Sequence, residues 1–338
     1  MDAKSILAIP TIRPERLYPN DLALAKSMRN QLVKQWHPDI CKDAMASNVV
    51  EHVQKLYDAV VAKIVEGKYG KNTTRVNFTK ISGGDVVFDY LVKQSFTIGT
   101  IYYNKTEVLW HILPEYRKIA SRHSLLRTAI SNLPNKNYKT LDLLTQTIPA
   151  SQIQSVENGF ILTALKSREY LLLENLVDRF SPEHVGWALN RIYEQLTLFH
   201  DSGIYVGDIS PYNVWLCPAS HRMLMLNGFW FGGADGLNQE MVPTYALKLL
   251  PIDIIKTNPK LLDQHLVKRL GRLLLGDASG MGLKMNGKVP KPMTTFLTSD
   301  PLNGVSQDHL AWKKVLQTCF GDPKFIEMNV DIEQIYGD

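Results

Sequence analysis

Two stretches near the start of the chain repeat apolar residues at helical spacing. The first covers residues 21–36, where Asp21 can cap the helix and Pro38 forbids easy continuation. The second covers residues 46–66. We therefore predict two helices joined by a short loop. Their apolar stripes contain Leu22, Ala25, Met28 and Leu32 in the first helix and Val49, Val50, Val53, Leu56, Tyr57 and Val60 in the second.

β-Branched and aromatic residues dominate the chain after residue 73, as is typical of strands. Three such segments lie at 86–96, 97–103 and 106–113. They predict an antiparallel meander of about three strands. A helix is expected over 114–133, with Pro114 at its start, and a further strand over 159–165.

The pattern becomes mostly helical after about residue 181. Ser181, Pro182 and Glu183 form a strong start signal, since they supply a capping hydroxyl, a proline at the first helical position and an acid in the first turn. Gly203 ends that helix. Strands first and helices later predict an α+β, two-lobed body behind a small helical unit.

Composition and charge narrow the class of protein. The 338 residues are 45% hydrophobic and 21% charged, and the net charge is +5 without any Lys/Arg block. This charge favours neither nucleic acid nor a membrane surface as a partner, and no apolar run approaches the roughly 20 residues of a membrane span. The three cysteines lie too far apart for metal-ligand spacing, so we expect reduced thiols in a cytoplasm.

One loop carries candidate catalytic chemistry. In residues 199–218, FHDSGIYVGDISPYNVWLCP, Asp208 stands five residues before Asn213, and both follow the capped helix. Phosphoryl transfer uses such a pair, because a carboxylate orients the acceptor hydroxyl and an amide oxygen binds Mg²⁺. The alternative is an ordinary turn in which Asp208 caps the backbone and Asn213 starts a strand.

This loop resembles the catalytic loop of the protein-kinase-like superfamily, in the HGD-x-x-P-x-N form of atypical and small-molecule kinases. The resemblance implies a bilobal domain over 75–338, with an N-lobe at about 75–165 and a C-lobe at about 166–338. It also implies ATP and Mg²⁺ as the cofactors of an active member. Asp208 and Asn213 would be its catalytic residues, and Asn213 would also bind the metal.

The remaining parts of that pattern are eroded. The resemblance places Asn227 where a second metal ligand, an aspartate, is expected, and a neutral amide binds Mg²⁺ less well than a carboxylate. It places His111 where a strand lysine would hold the nucleotide phosphates. Gly99 is the one well-placed glycine of the nucleotide-binding loop. A rival alignment uses Lys93 as the phosphate cation but leaves too few residues for the glycine hairpin.

Two supporting acids are also missing from the expected places. No glutamate occurs between Glu115 and Glu157, the interval of the helix that should pair with the phosphate lysine. In the later stretch LVKRLGRLLLG, Leu266 stands where an aspartate supports the catalytic loop. We therefore expect a pseudokinase. An active atypical kinase, acting on protein or small-molecule hydroxyls, is the alternative.

A second motif follows the first predicted helix. Residues 36–39, Trp-His-Pro-Asp, separate a helix with basic residues from one with a matching apolar stripe. Over residues 21–62 this arrangement resembles the J-domain of DnaJ-type co-chaperones, whose His-Pro-Asp loop stimulates the ATPase of an Hsp70. The short first helix of that family is not evident, and a capped hairpin without a chaperone partner is the alternative. The resemblance implies chaperone contacts by His37, Pro38, Asp39, Lys26, Arg29 and Lys34.

Two units are therefore expected: a J-like helical unit at about 15–68 and a kinase-like domain at 75–338. Their combination favours a regulatory or scaffold pseudokinase that recruits an Hsp70-type chaperone. A purely structural or interaction protein is a further alternative. The combination also suggests a protein of a large bacteriophage, and hence the host cytoplasm as its location.

Overall fold

The chain has a mixed α+β architecture in a computed structural model. Among the described residues, no helix is both long enough and apolar enough to cross a membrane. The structure describes residues 2–11, 13–65, 69, 74–131, 146–227, 229–236, 241–282, 285 and 289–336.

Three helices form a unit with its own apolar core. They are α1 (Ala3–Leu7), α2 (Leu22–Gln35) and α3 (Ala46–Val65), with a short 3-10 turn at Pro14–Arg16. Asp21 caps α2 as predicted, because its carboxylate accepts a hydrogen bond from the Leu24 backbone at 2.8 Å. The helix α1, which the sequence did not reveal, packs on α3. Ala3, Ile6 and Ile9 are buried in this core, so the unit includes residues before the predicted boundary at 15.

Seven strands follow the helical unit. They are β1 (Thr74–Thr79), β2 (Asp85–Tyr90), β3 (Val92–Phe96), β4 (Gly99–Tyr103), β5 (Glu107–Ile112), β6 (Gln154–Val156) and β7 (Gly159–Leu165). The last five make an antiparallel sheet in the order β3-β4-β5-β7-β6, and β1 and β2 form a separate hairpin. The meander and the strand at 159–165 are thus confirmed. The predicted segment 86–96 is divided at Leu91 into β2 and β3.

The two faces of the five-stranded sheet bury different partners. On one face, Leu109 and Ile161 pack against Phe78 and Phe88 of the β1–β2 hairpin. On the other face, Trp110 and its neighbours in β5 join the core of the helical body. The helix α4 (Arg117–Ser131) follows β5 after a 3-10 turn at Pro114–Tyr116, and it buries Ile119, Ala120 and Leu126 in that same core.

The rest of the chain forms the helical body. Ser181 and His184 make a capping box at the start of its first long helix, as the Ser-Pro-Glu signal predicts. Gly203, with φ of +77°, lies just beyond the end of that helix. The helices are α5 (Pro182–Asp201), α6 (Ile252–Thr257), α7 (Pro259–Leu274), α8 (Lys291–Thr298), α9 (Val305–Phe320) and α10 (Ile332–Tyr336), with 3-10 turns at Leu173–Arg179 and Thr244–Lys248.

Short strands line the side of the body that meets the sheet. They are β8 (Leu171–Leu172), β9 (Ile204–Tyr205), β10 (Trp215–Cys217), β11 (Arg222–Leu224) and β12 (Gly233–Ala234). The strand β10 pairs with β8 and β11, and β9 pairs with β12. Residues 206–214, between β9 and β10, therefore form a loop that is anchored at both ends.

Candidate functional site

The loop at 206–214 carries Asp208 and Asn213 and is shaped by Gly207. Gly207 has φ of +74°, and a Cβ atom there would lie 2.0 Å from the Phe231 carbonyl oxygen. Only glycine fits both the left-handed backbone and this close approach. The constraint fixes the direction in which the next residue, Asp208, leaves the chain.

The side chain of Asp263, in α7, binds the backbone of this loop. Its carboxylate is fully buried and accepts hydrogen bonds from the Val206 backbone at 2.8 Å and the Gly207 backbone at 2.7 Å. It also lies 2.9 Å from Nε2 of His200. The supporting aspartate was expected at the place of Leu266, but the residue in this role is Asp263. Residues three apart lie on the same helix face, so spacing alone did not decide between the two.

Asp208 is buried and engaged by the chain's own hydroxyl groups. The Tyr245 hydroxyl donates a hydrogen bond to its carboxylate, and Asn213 and Ser210 also bond to it. Burial raises the pKa of Asp208, against these hydrogen bonds, which favour the ionised form. The guanidinium carbon of Arg269 lies 4.3 Å from the centre of the Tyr245 ring. The carboxylate that would orient a substrate hydroxyl thus binds a tyrosine of this chain.

The side-chain oxygens of the two predicted metal-binding asparagines differ in whether they accept a hydrogen bond. Asn213 donates from Nδ2 to the Asp208 carbonyl and to the Ser210 hydroxyl, both at 3.3 Å, and its buried Oδ1 has no hydrogen-bond partner among the described residues. Asn227, by contrast, accepts a hydrogen bond at Oδ1 from the Phe229 backbone, at 2.5 Å. Its oxygen is therefore used within its own turn.

The oxygen atoms of Asp208, Asn213 and Asn227 do not fit a magnesium site. Mg²⁺ prefers carboxylate, phosphate and water oxygens in octahedral geometry. The site offers one unpartnered amide oxygen, on Asn213, and one carboxylate that already accepts the Tyr245 hydroxyl. No group of three or more His, Cys, Asp or Glu side chains within the described ranges could hold a metal ion.

The two predicted nucleotide-binding residues lie elsewhere in the sheet. The His111 ring faces the β1–β2 hairpin, where it lies 4.9 Å from the Phe78 ring and Nε2 is 3.1 Å from the Asn158 carbonyl. Burial lowers the pKa of His111, so it is uncharged near neutral pH. Gly99 begins β4, and a Cβ atom there would lie 1.9 Å from the His111 carbonyl oxygen. Close strand approach explains this glycine.

On the opposite face of β5, aromatic rings fill the space between the sheet and the loop that follows β11. Trp110 is fully buried, and its ring centre lies 6.5 Å from that of Trp230. His123 of α4 is also fully buried, 6.2 Å from the Trp230 ring. Neither indole N–H has a hydrogen-bond partner among the described residues. This cluster has no lysine or acid among its three members.

A second aromatic cluster lies between the sheet and β10. Tyr103, Trp215 and Tyr336 are each fully buried. The Tyr103 ring meets Trp215 edge-on at 5.2 Å and Tyr336 edge-on at 6.1 Å. Burial of Trp215 in the core was expected from the sequence, but its contacts with Tyr103 and Tyr336 were not, because the three residues come from β4, β10 and α10 and share no local pattern.

The His-Pro-Asp motif is exposed at the end of α2. The side chains of His37 and Asp39 are 46% and 86% exposed, and the Asp39 backbone donates a hydrogen bond to Nδ1 of His37 at 3.3 Å. Pro38 is exposed between them. Their functional groups are therefore available to a partner.

The three basic residues of α2 divide into two groups. Lys26 and Lys34 are exposed, as a docking surface requires. Arg29 instead bonds from Nε and an Nη atom to the Gln54 side chain at 2.9 and 2.6 Å, and it lies 5.7 Å from the Tyr57 ring centre. Arg29 thus ties α2 to α3.

No protein-family model matches this chain, and no curated protein matches it.

Proposed function

We propose that residues 75–338 form a protein-kinase-like domain that acts as a regulatory scaffold and does not transfer phosphate. We further propose that the J-like unit in front of it recruits an Hsp70-type chaperone. The hydrogen bond from the Tyr245 hydroxyl to the buried Asp208 carboxylate carries the first proposal. The exposed His-Pro-Asp motif carries the second.

Three features support kinase-like descent. Protein kinases place the phosphate lysine on the third strand of a sheet and its glutamate partner on the next helix. Here β5 is the third strand of the five-stranded sheet in chain order, and α4 follows it. The Asp208–Asn213 loop follows a long capped helix, α5, as in that pattern. Asp263 supplies the acid contact to the loop that the sequence analysis could not find.

The same comparison argues against catalysis. Kinases stabilise the transferring phosphoryl group with a lysine, a glutamate that orients it, and metal-bound acids. In this chain the inward side chain of β5 is Trp110, the buried α4 side chain beside it is His123, and the loop after β11 supplies Trp230.

The helical unit supports the chaperone proposal through its arrangement. The helices α2 and α3 pack against each other, α1 packs on α3, and residues 37–39 are exposed at the loop that joins the long helices. Lys26 and Lys34 present positive charge on α2. Complementary charge on a partner would speed the encounter and make it sensitive to salt.

Titration calorimetry with ATP, with and without Mg²⁺, tests the scaffold proposal. We expect no binding by the native chain, by Asp208→Ala or by Asn213→Ala, while an active protein kinase in the same buffer binds. Metal-dependent binding by the native chain that Asn213→Ala abolishes would overturn the proposal and favour the atypical kinase.

A further inference from the structure

Residues 321–336 run from the helical body to the sheet. After α9 the chain is extended, and Phe325 stacks on His221 with ring centres 4.2 Å apart. His221 in turn stacks on Trp187 at 4.1 Å, and Nε2 of His184 lies 3.3 Å from the Glu327 carbonyl oxygen. These contacts place α10, which ends at Tyr336, beside the C-terminal end of β4. The segment therefore connects the two parts of the domain.

The site that receives α10 has two cations for one acid. Glu333 pairs with Lys105 at 3.2 Å and also with Arg168. Lys105 lies in the turn between β4 and β5, and Arg168 lies in the connection after β7. Neither cation belongs to the segment, so both remain in place when it leaves.

Three residues further along, the same site holds a tyrosine. Tyr336 is fully buried, and its hydroxyl accepts a hydrogen bond from Nζ of Lys166 at 2.7 Å and donates one to the Tyr170 carbonyl at 3.0 Å. The ring packs edge-on against Tyr103. Lys166 lies above the Trp215 ring, 5.5 Å from its centre, so an aromatic wall and a buried amine together recognise a phenol.

The residues that receive α10 lie in paired strands, whereas α10 itself is short. Tyr103 and Trp215 belong to strands that are paired with neighbours, in β4 and β10. The helix α10 has five residues, and a helix this short is not stable by itself in water. Its acid contacts are partly exposed, with 26% of the Glu333 side chain and 52% of Arg168 accessible, and such pairs stabilise little. Tyr336 is fully buried, and Ile332 and Ile335 of the same helix are partly buried against the same core.

We propose that this is a recognition site for a short protein helix with a glutamate three residues before a tyrosine, held in cis by residues 332–336 and open in trans to another protein segment of that chemistry. This site would give the proposed scaffold a class of partner, and its biological use therefore rests on the proposed function. Its binding chemistry does not depend on ATP or on the J-like unit. Release of the internal segment exposes the Tyr103–Trp215 wall to the incoming one.

A labelled synthetic peptide of residues 326–338 tests the proposal by fluorescence anisotropy. The full chain carrying Glu333→Arg and Tyr336→Ala has its internal segment released, and we expect it to bind the peptide at least tenfold more tightly than the native chain does. Adding Arg168→Glu to that variant should weaken binding, because the new acid faces the glutamate of the peptide. A peptide with the same two changes, Glu333→Arg and Tyr336→Ala, is the matched control and should not bind.

Absence of peptide binding to a released variant with native-like circular dichroism would overturn the proposal, as would binding that Arg168→Glu leaves unchanged. If the double variant does not fold, Tyr336→Phe alone removes the hydroxyl contacts with Lys166 and Tyr170 and should bind the peptide with intermediate affinity. Equal affinity of Tyr336→Phe and the native chain would then overturn it. Each result is separable from the scaffold proposal, which the ATP titration decides.

Discussion

The hydroxyl group of Tyr245 donates a hydrogen bond to the carboxylate of Asp208. Asp208 is the residue that a phosphotransferase would use to orient a substrate hydroxyl, and only 6% of it is exposed. The guanidinium group of Arg269 lies over the Tyr245 ring. Asp208 thus has a structural partner within its own chain.

Tyr245→Phe should therefore destabilise the fold. Removing the hydroxyl leaves a buried carboxylate with one donor fewer, so we expect the free energy of unfolding to fall by about 1–3 kcal/mol in urea denaturation. The matched control is Tyr212→Phe, whose hydroxyl donates to Glu174 at 3.1 Å in a half-buried position. An equal loss in both variants would contradict a special role for the contact with Asp208.

Asp263→Asn should disrupt the loop that carries Asp208. The new amide group would face the Val206 and Gly207 backbone donors, leaving at least one buried donor unpaired at a cost of about 3 kcal/mol or more. Chemical denaturation measures the loss, and hydrogen exchange should show faster exchange at residues 206 and 207. Asp235→Asn is the control, because its pair with Lys260 at 2.9 Å has a 66% exposed carboxylate and should matter by less than about 1 kcal/mol. A stable Asp263→Asn variant would refute the supporting role.

Lys166 makes stability rise with pH just above neutrality. Burial lowers the pKa of Lys166 to about 7, whereas lysine in an unfolded chain has a pKa of about 10.4. Above pH 7 the folded chain gives up a proton that the unfolded chain keeps. The free energy of unfolding should therefore increase with pH, by up to about 1.4 kcal/mol per unit between about pH 7.5 and 8.5.

Denaturation of Lys166→Met over the same pH range checks this expectation. The variant should lose the Lys166 share of the slope, while Lys314→Met, at an exposed position of α9, should keep the native slope. Histidine titration does not interfere, because burial lowers the pKa of His111, His221 and His265 and unfolded histidine is also mostly neutral there. If the free energy of unfolding of Lys166→Met rose with pH as steeply as that of the native chain, the Lys166 amine would not be the cause of the pH dependence.

His37→Gln tests the chaperone proposal. The native chain should raise the ATPase rate of an Hsp70, and the variant should return it to the unstimulated rate, because an exposed ring that makes short-range contacts is lost. Lys55→Gln, on α3 with its side chain 60% exposed, should stimulate as the native chain does. Stimulation should also weaken as salt rises, since the α2 lysines act by charge. If the native chain did not stimulate the ATPase of any Hsp70 in a panel, the chaperone proposal would be wrong.

Local sequence signals predicted the elements whose ends are fixed by neighbouring residues. Asp21 and Ser181 cap their helices as expected, because a capping side chain bonds to the backbone of its own first turn. The strand at 159–165 was found for a similar reason: its β-branched and apolar residues are continuous. The helix α1 was missed because five residues are too few to show a helical period.

The candidate site was predicted only where it is local. The sequence by itself determined that Asp208 and Asn213 share one loop after a capped helix, and that Trp36 to Asp39 end another. It did not determine which face of β5 meets the helical body. Neighbouring strand residues point to opposite faces, so a one-residue difference exchanges Trp110 for His111.

Tertiary structure decided the rest, because the contacts that fill or support the site join residues far apart in the chain. Asp263 reaches the loop across α7, and Tyr245 reaches Asp208 across a gap of 37 residues. Tyr336 reaches Tyr103 from the other end of the domain. Aromatic burial between separate elements follows from packing and leaves no periodic trace in the sequence, so only the folded chain shows which rings meet.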